Sequence, residues 1–197
     1  MNITAFRISI LTPCLNEGEW LEPTLCSVID QDYPHAEYLV SDGGSRDGSV
    51  LALTRYDQHI TWWCSEVDNG RSDAIRKTLR RATGDLILIL NAGDVLLPGA
   101  LQAIADAAAK YTRPWMVGHA QIIGDHALPM GQGYDAIHVW PRQFVSRARF
   151  AQIDHEALCF EQMLESQLLH SGHQPMPLGC IAVAKRQQQI PPPALAA

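Results

Sequence analysis

No apolar run in the 197 residues approaches the roughly 20 that a membrane-spanning helix needs. Any membrane association is therefore expected to be peripheral. The opening Met1 to Arg7 is too polar for a secretory leader, so a cytoplasmic chain, or one lying at the inner face of the membrane, is expected. No Cys-x-x-Cys occurs. The cysteines, Cys14, Cys26, Cys64, Cys159 and Cys180, are odd in number and scattered, which fits reduced thiols better than a disulfide frame or a zinc site. Six of the eight histidines (His119, His126, His138, His155, His170 and His173) lie in the second half of the chain and do not gather at metal-ligand spacing. Positive charge is scarce: 15 Lys and Arg face 21 Asp and Glu, for a net charge of −6, which excludes a general nucleic-acid binder. The one basic strip, Arg71, Arg76, Lys77, Arg80 and Arg81, falls at helical spacing and reads as a solvated helix face. There is no internal repeat. What remains is a globular composition, 47% hydrophobic, on a chain long enough for one domain with a buried core.

The stretch around which the chain is organised is Gly84-Asp85-Leu86-Ile87-Leu88-Ile89-Leu90-Asn91-Ala92-Gly93-Asp94. Leu86 to Leu90 has no polar alternation and reads as a strand buried on both faces, the habit of parallel sheets. It stops at a turn that ends on Asp94. Such a carboxylate either makes an ordinary Asx turn or lies where open α/β sheets bind ligands, just past the carboxyl end of a strand.

The same pattern occurs upstream. Arg7 to Pro13 reads as a strand stopped by Pro13, followed by the polar turn Cys14-Leu15-Asn16-Glu17-Gly18 and a helix over Trp20 to Gln31. Glu37 to Ser41 is a second strand, ending in Asp42-Gly43-Gly44-Ser45-Arg46-Asp47-Gly48-Ser49, with Ser45 a candidate helix N-cap. Ile60 to Ser65 is a third, running into Glu66-Val67-Asp68-Asn69-Gly70-Arg71-Ser72-Asp73, with Ser72 or Asp73 capping a helix through Arg81. After Asp94 a helix is expected over Ala100 to Lys110. Alternating strands and helices with short connections call for a right-handed, Rossmann-like, mostly parallel sheet with helices on both faces. Asp42, Asp68 and Asp94 then share one edge of that sheet, which describes a site.

Further on, Trp115 to Ile123 reads as a strand, Gly124 to Tyr134 as a loop over the sheet edge, Phe144, Val145 and Phe150 as core contacts, Cys159 to Leu169 as a helix ended by Gly172, and Pro177 to Ala184 as a last strand. The tail, 185–197, has a Gln run and consecutive prolines and reads as disordered or extended.

Taken in order, these stretches resemble the family 2 glycosyltransferases of the GT-A fold, over residues 8–101. The segments that carry the resemblance are Ile10 to Glu17, Leu25 to Pro34, Val40 to Ser49, Ser65 to Lys77 and Asn91 to Asp94; the fourth is similar to a branch acting in bacterial polysaccharide synthesis. The resemblance implies one domain over 1–184, with 1–110 binding a nucleotide-sugar and 111–184 on the acceptor side. It implies transfer of a sugar, with inversion, from a nucleotide-diphosphate-sugar donor to a hydroxyl of a saccharide or lipid-linked acceptor, in envelope or exopolysaccharide synthesis.

Residue by residue, Pro13, Leu15 and Glu17 would line the nucleotide, Asp42 would lie near the base, and Asp68 near the base or ribose. Asp94 would hold a divalent cation, Mn2+ or Mg2+, bridging the diphosphate. Arg71 either adds positive potential near the diphosphate or is a solvent-exposed helix arginine. Inversion in one step also needs a general base. Counting back from Gly172-His173 puts Glu161 at that position, with Asp154, His155 and Glu156 as nearby competitors; read otherwise, Glu161 is a helix N-terminal carboxylate. Three departures stand out. Gly93 replaces a further acidic residue of many members, so metal affinity would rest on Asp94; Phe160 stands before Glu161 where an acid is common; and the sequence is short after residue 150, where the family's acceptor-binding part is usually longer. A competing reading is therefore a non-catalytic nucleotide-sugar-binding domain of the same fold. A sugar nucleotidyltransferase is disfavoured, because the opening loop lacks a Gly-rich phosphate run with a Lys.

Overall fold

The structure, a computed structural model, describes residues 5–110, 115–123, 129–142 and 176–185. The strands are β1 (Ile8–Cys14), β2 (Ala36–Asp42), β3 (Trp62–Ser65), β4 (Leu86–Ile89), β5 (Asp94–Leu96), β6 (Met116–Ile123), β7 (Pro129–Pro141) and β8 (Met176–Lys185). The helices are α1 (Gly18–Ile29), α2 (Ser49–Arg55), α3 (Arg71–Leu79) and α4 (Ala100–Ala109). They build one eight-stranded sheet in the order β3-β2-β1-β4-β7-β6-β8-β5. The pairings β1–β2, β1–β4, β2–β3 and β6–β8 are parallel, and β4–β7, β6–β7 and β5–β8 antiparallel, so the sheet is mixed and mostly parallel.

Strand alternation sends β1 side chains to both faces. Ile8, Ile10 and Cys14 join the core under α1 and α4, with Leu21, Leu25, Leu101 and Ile104. Leu11 joins the opposite core with Leu39, Ile75 of α3, Ile87 and the buried Trp115 and Trp140. Helices thus cover both faces, as the unbroken burial of β1 and β4 requires.

Several sequence expectations are corrected. Pro13 does not stop β1, which continues to Cys14 and pairs Pro13 with Ser41. The Leu11 carbonyl accepts from Leu90 N on the β4 side and the Cys14 carbonyl from Gly43 N on the β2 side. By alternation the missing N–H of Pro13 faces the side on which β4 has already ended, so no ladder bond is lost. Ser45 is no N-cap, because α2 begins only at Ser49. The third helix starts at Arg71, ahead of the expected Ser72 or Asp73 cap, after Gly70 with φ 95°, and ends at Leu79. Of the loop expected over Gly124 to Tyr134, residues from Pro129 belong to β7. Phe144, Val145, Phe150, the Cys159 to Leu169 helix, Glu161 and its competitors Asp154, His155 and Glu156, and the tail beyond Lys185 lie outside the described residues.

β5 was not foreseen. It follows β4 across a tight turn, yet lies at the far end of the order β4-β7-β6-β8-β5. A connection of this length reaches less than about 20 Å, so this half of the sheet curls back on itself and brings β5 under α1. There Ser27 Oγ accepts from Leu96 N at 3.1 Å and Gln31 Nε2 donates to the Leu97 carbonyl at 3.0 Å.

Candidate functional site at the carboxyl ends of the parallel strands

The tips of β1, β2, β3 and β4 are stitched together by hydrogen bonds between residues far apart in sequence. Asn16, with φ 53°, turns the chain out of β1. Its N–H donates to Ser45 Oγ at 2.7 Å, and its Oδ1 accepts from Arg46 N at 3.0 Å. Ser49 Oγ accepts from both Glu17 N and Gly18 N, at 3.1 and 3.0 Å. The β1 loop is therefore fixed to the β2 loop by two serines and an asparagine.

Asp42 is fully buried. Its carboxylate accepts from Gly44 N at 3.1 Å, Ser45 N at 2.9 Å, Ser65 Oγ at 2.6 Å and, by a short bond, Ser45 Oγ. Burial works against its charge, but the bonds from Ser45 and Ser65 outweigh that and hold its carboxyl below the usual carboxylate range. Beneath it the Cys14 thiol is pushed up to about 12 by burial and by the Asp42 charge. Asp42 thus organises the Gly43-Gly44-Ser45 loop with its own acceptor capacity.

Asp68 packs against that loop. A Cβ placed on Gly43 would lie 3.0 Å from Asp68 Oδ2 and 3.1 Å from Oδ1. The absent side chain of Gly43 is what admits the carboxylate. Asp68 Oδ1 also accepts from Gly70 N at 2.8 Å, which shapes the turn into α3. Arg71, the first residue of α3, donates from Nε and Nη2 to Asn91 Oδ1 at 3.1 and 2.7 Å. Asn91 Nδ2 in turn donates to Asp94 Oδ2 at 3.2 Å. Asp42, Asp68 and Asp94 therefore belong to one connected rim, running from β2 through the β3 loop and Arg71 to the turn after β4.

Gly93 has a conformational reason. Asp94 N closes a turn on the Asn91 carbonyl at 3.0 Å, and Gly93, third in that turn, has φ 92°. A turn with positive φ there favours glycine. Its N–H donates to Thr24 Oγ1 of α1 at 2.9 Å. Pro13 is buried within β1, Leu15 is 51% exposed at the rim and Glu17 is half-buried. Burial, and secondarily the Asp47 charge, raise the Glu17 carboxyl above its ordinary value. Asn16, Ser45, Ser49, Ser65 and Asn91 are the site residues that sequence reasoning missed as contacts. They stood inside the quoted motifs, but their partners lie 3 to 32 positions away.

Among the described residues no three or more His, Cys, Asp or Glu gather as a metal cage. The donor set at Asp94 nevertheless suits a hard cation, since Mg2+-type ions take one or two carboxylates and draw their other ligands from phosphate and water. Asp94 is 8% exposed, with its carboxylate oriented by Asn91.

A parallel half-sheet capped on both faces, its strand tips carrying this rim, is the frame of a GT-A fold. Solved structures agree. Staphylococcus aureus TarS, residues 1–349, in complex with UDP-GlcNAc superposes with a TM-score of 0.75 at 13% identity, covering 92% of this chain and 59% of that one. Mannosyltransferase PcManGT from Pyrobaculum calidifontis, in complex with GDP-Man and Mn2+, gives 0.69 at 18% identity, covering 90% and 57%. The family model Glycosyl transferase family 2 matches residues 9–163, and the chain belongs to that family. Among curated relatives, the putative teichuronic acid biosynthesis glycosyltransferase TuaG of Bacillus subtilis is 34% identical over 90 residues, 44% of this chain and 36% of its own length. The chain spans about a third to a half of the length of such relatives. Among the described residues no helix is long and apolar enough to cross a membrane.

Proposed function

We propose that residues 1–184 form a single glycosyltransferase domain that moves a sugar, with inversion, from a nucleotide-diphosphate-sugar to a hydroxyl of a saccharide or lipid-linked acceptor, in envelope polysaccharide synthesis. The observation that carries this reading is the connected rim in which Asp68 abuts Gly43 and Arg71 is joined through Asn91 to Asp94. In this reading 1–110 binds the donor and 111–184 faces the acceptor. TarS in complex with UDP-GlcNAc and PcManGT in complex with GDP-Man and Mn2+ share this fold, which supports donors of the UDP- and GDP-sugar kind.

Pro13, Leu15 and Glu17 border the nucleotide, Asp68 offers an acceptor to the base or ribose, and Asp42 holds the loop on which the base rests. Arg71 contributes positive potential at the first turn of α3, where the helix dipole adds to it. Asp94, with phosphate oxygens, would hold Mn2+ or Mg2+. That cation, when bound, neutralises the charge that grows on the departing nucleoside diphosphate. Glu161 takes the acceptor proton as general base in this scheme. In this reading the chain is cytoplasmic, and any contact with the inner face of the membrane is peripheral.

The test is release of nucleoside diphosphate from UDP- and GDP-sugars with Mn2+. Asp94→Ala should lower turnover by about 100-fold or more, the loss that several kcal/mol of charge stabilisation represents. Glu161→Ala should abolish transfer while leaving donor binding intact. That the turn Asn91-Ala92-Gly93-Asp94 carries one carboxylate, with Gly93 at φ 92°, is the observation that favours the second reading, a non-catalytic nucleotide-sugar-binding domain. Donor binding without turnover in the wild type would select it.

A further inference from the structure

Asn91 sits between two groups that the proposed reading uses, and its amide faces both. Its Oδ1 takes two N–H donors of Arg71, at 3.1 and 2.7 Å, and its Nδ2 donates to Asp94 Oδ2 at 3.2 Å. The two partners fix which end of the amide is which, because a guanidinium only donates and a carboxylate only accepts. An aspartate here could satisfy Arg71 but would set one carboxylate against another. An alanine would remove both of these bonds. The main chain supports the same geometry: the Asn91 carbonyl accepts from Asp94 N at 3.0 Å, and Gly93 N is held by Thr24. With its backbone position fixed by the turn, the remaining freedom of the Asp94 side chain is rotation about its own bonds. A hydrogen bond to a charged group is strong enough to restrict that rotation.

We propose that Asn91 is a positioning residue: its amide couples the Arg71 guanidinium to the Asp94 carboxylate, so that the cation ligand and the phosphate-facing charge are presented in one fixed arrangement. This deepens the glycosyltransferase reading and rests on it. Asn91 touches no reacting atom in this role. It acts through the two groups it orients.

The experiment measures Mn2+ affinity by electron paramagnetic resonance titration, in the presence of UDP or GDP, for the full chain and for Asn91→Ala, Asn91→Asp and Arg71→Ala. Asn91→Ala should weaken Mn2+ about tenfold, the scale of one charge-assisted hydrogen bond. Asn91→Ala combined with Arg71→Ala should weaken it by less than the product of the two single effects, since the pair acts as a unit. Thermal midpoints within a few degrees of wild type should accompany this, because Asn91 and Arg71 are exposed. A second readout needs no metal: the side-chain amide protons of Asn91, followed by NMR in the unliganded protein, should shift in Asp94→Ala and in Arg71→Ala. Unchanged Mn2+ affinity in Asn91→Ala overturns the proposal, as does an Asn91→Asp variant that binds Mn2+ more tightly than wild type while Asn91→Ala matches it, since position 91 would then be a ligand position. A wild type that binds neither nucleotide with Mn2+ overturns the donor-site reading itself, and this proposal with it. Wild-type binding with an indifferent Asn91→Ala overturns this proposal alone.

Discussion

One methyl group at Gly43 is enough to test the base side of the rim. Its Cβ would meet the Asp68 carboxylate at 3.0 to 3.2 Å, and Asp68 cannot swing aside without straining its bond from Gly70 N. Gly43→Ala should therefore weaken UDP or GDP binding by roughly fivefold, about 1 kcal/mol, with the fold intact. Isothermal titration beside a thermal melt reads both, and an unchanged affinity would remove Asp68 from the donor site. At this scale the sequence marks residues that the structure gathers at one rim, but not the bonds they make there. Asp42 stands out as a carboxylate at a strand tip, yet its oxygens are spent on Ser45, Ser65 and Gly44, so it builds the loop. Gly93 looks in sequence like a missing acid and is, in the turn, a residue held at φ 92°. Backbone dihedrals of that kind are decided by the turn as a whole, and no single residue letter carries them.

The element that bears most on the Asp94 turn is α1, whose first residue, Gly18, also donates its N–H to Ser49 Oγ at the rim. Its apolar face was legible from the 3.6 period, with Leu21, Leu25 and Val28 buried. Its polar positions on the same side were not, because their partners are some 70 residues away. Thr24 Oγ1 holds Gly93 N, Ser27 Oγ holds Leu96 N, and Gln31, two residues past the helix end, reaches both the Leu97 carbonyl and Leu101 N. Thr24→Val keeps the shape and removes the acceptor, leaving a buried N–H unpaired at a cost of about 1–3 kcal/mol. Urea unfolding should show that loss. Mn2+ affinity should fall in the same variant, since the turn presenting Asp94 is loosened. A stability loss with undiminished Mn2+ affinity would mean that α1 supports the fold but not the site. β5 escaped sequence reading for a related reason. Among the described residues its three residues pair with β8 alone, far along the chain, so nothing local marks them as a strand.

Across the whole molecule, the parallel strands are pinned at both ends by buried carboxylates. At the carboxyl ends stands Asp42. At the opposite end Glu37, 3% exposed, accepts from Thr83 N at 2.7 Å, Thr83 Oγ1 at 2.8 Å, Arg7 Nη2 at 3.5 Å and, by a short bond, Ser9 Oγ. Ser9 Oγ accepts from Gly84 N at 2.8 Å, and a Cβ on Gly84 would lie 2.6 to 2.8 Å from Ser9 and the Arg7 carbonyl, so Gly84→Ala should disrupt the start of β4. Burial raises the Glu37 carboxyl, but the bonds from Ser9 and Thr83 prevail and lower it, as those from Ser45 and Ser65 lower Asp42. A carboxyl whose folded pKa lies below its unfolded value adds stability that is complete above the unfolded value, roughly 4 for both types, and disappears as pH falls through the folded value. Urea midpoints should therefore be flat from about pH 7 to pH 5 and decline steeply below roughly pH 4. Glu37→Gln and Asp42→Asn should each lower stability at pH 7 by about 2 kcal/mol, the cost of charge-assisted donors losing their ionised acceptor. Their deficit against wild type should shrink as the wild-type carboxyl itself takes up a proton. A deficit that stays constant from pH 7 down to pH 3 would mean that these two groups fold in their neutral form, each donating its one proton to a single neighbouring oxygen.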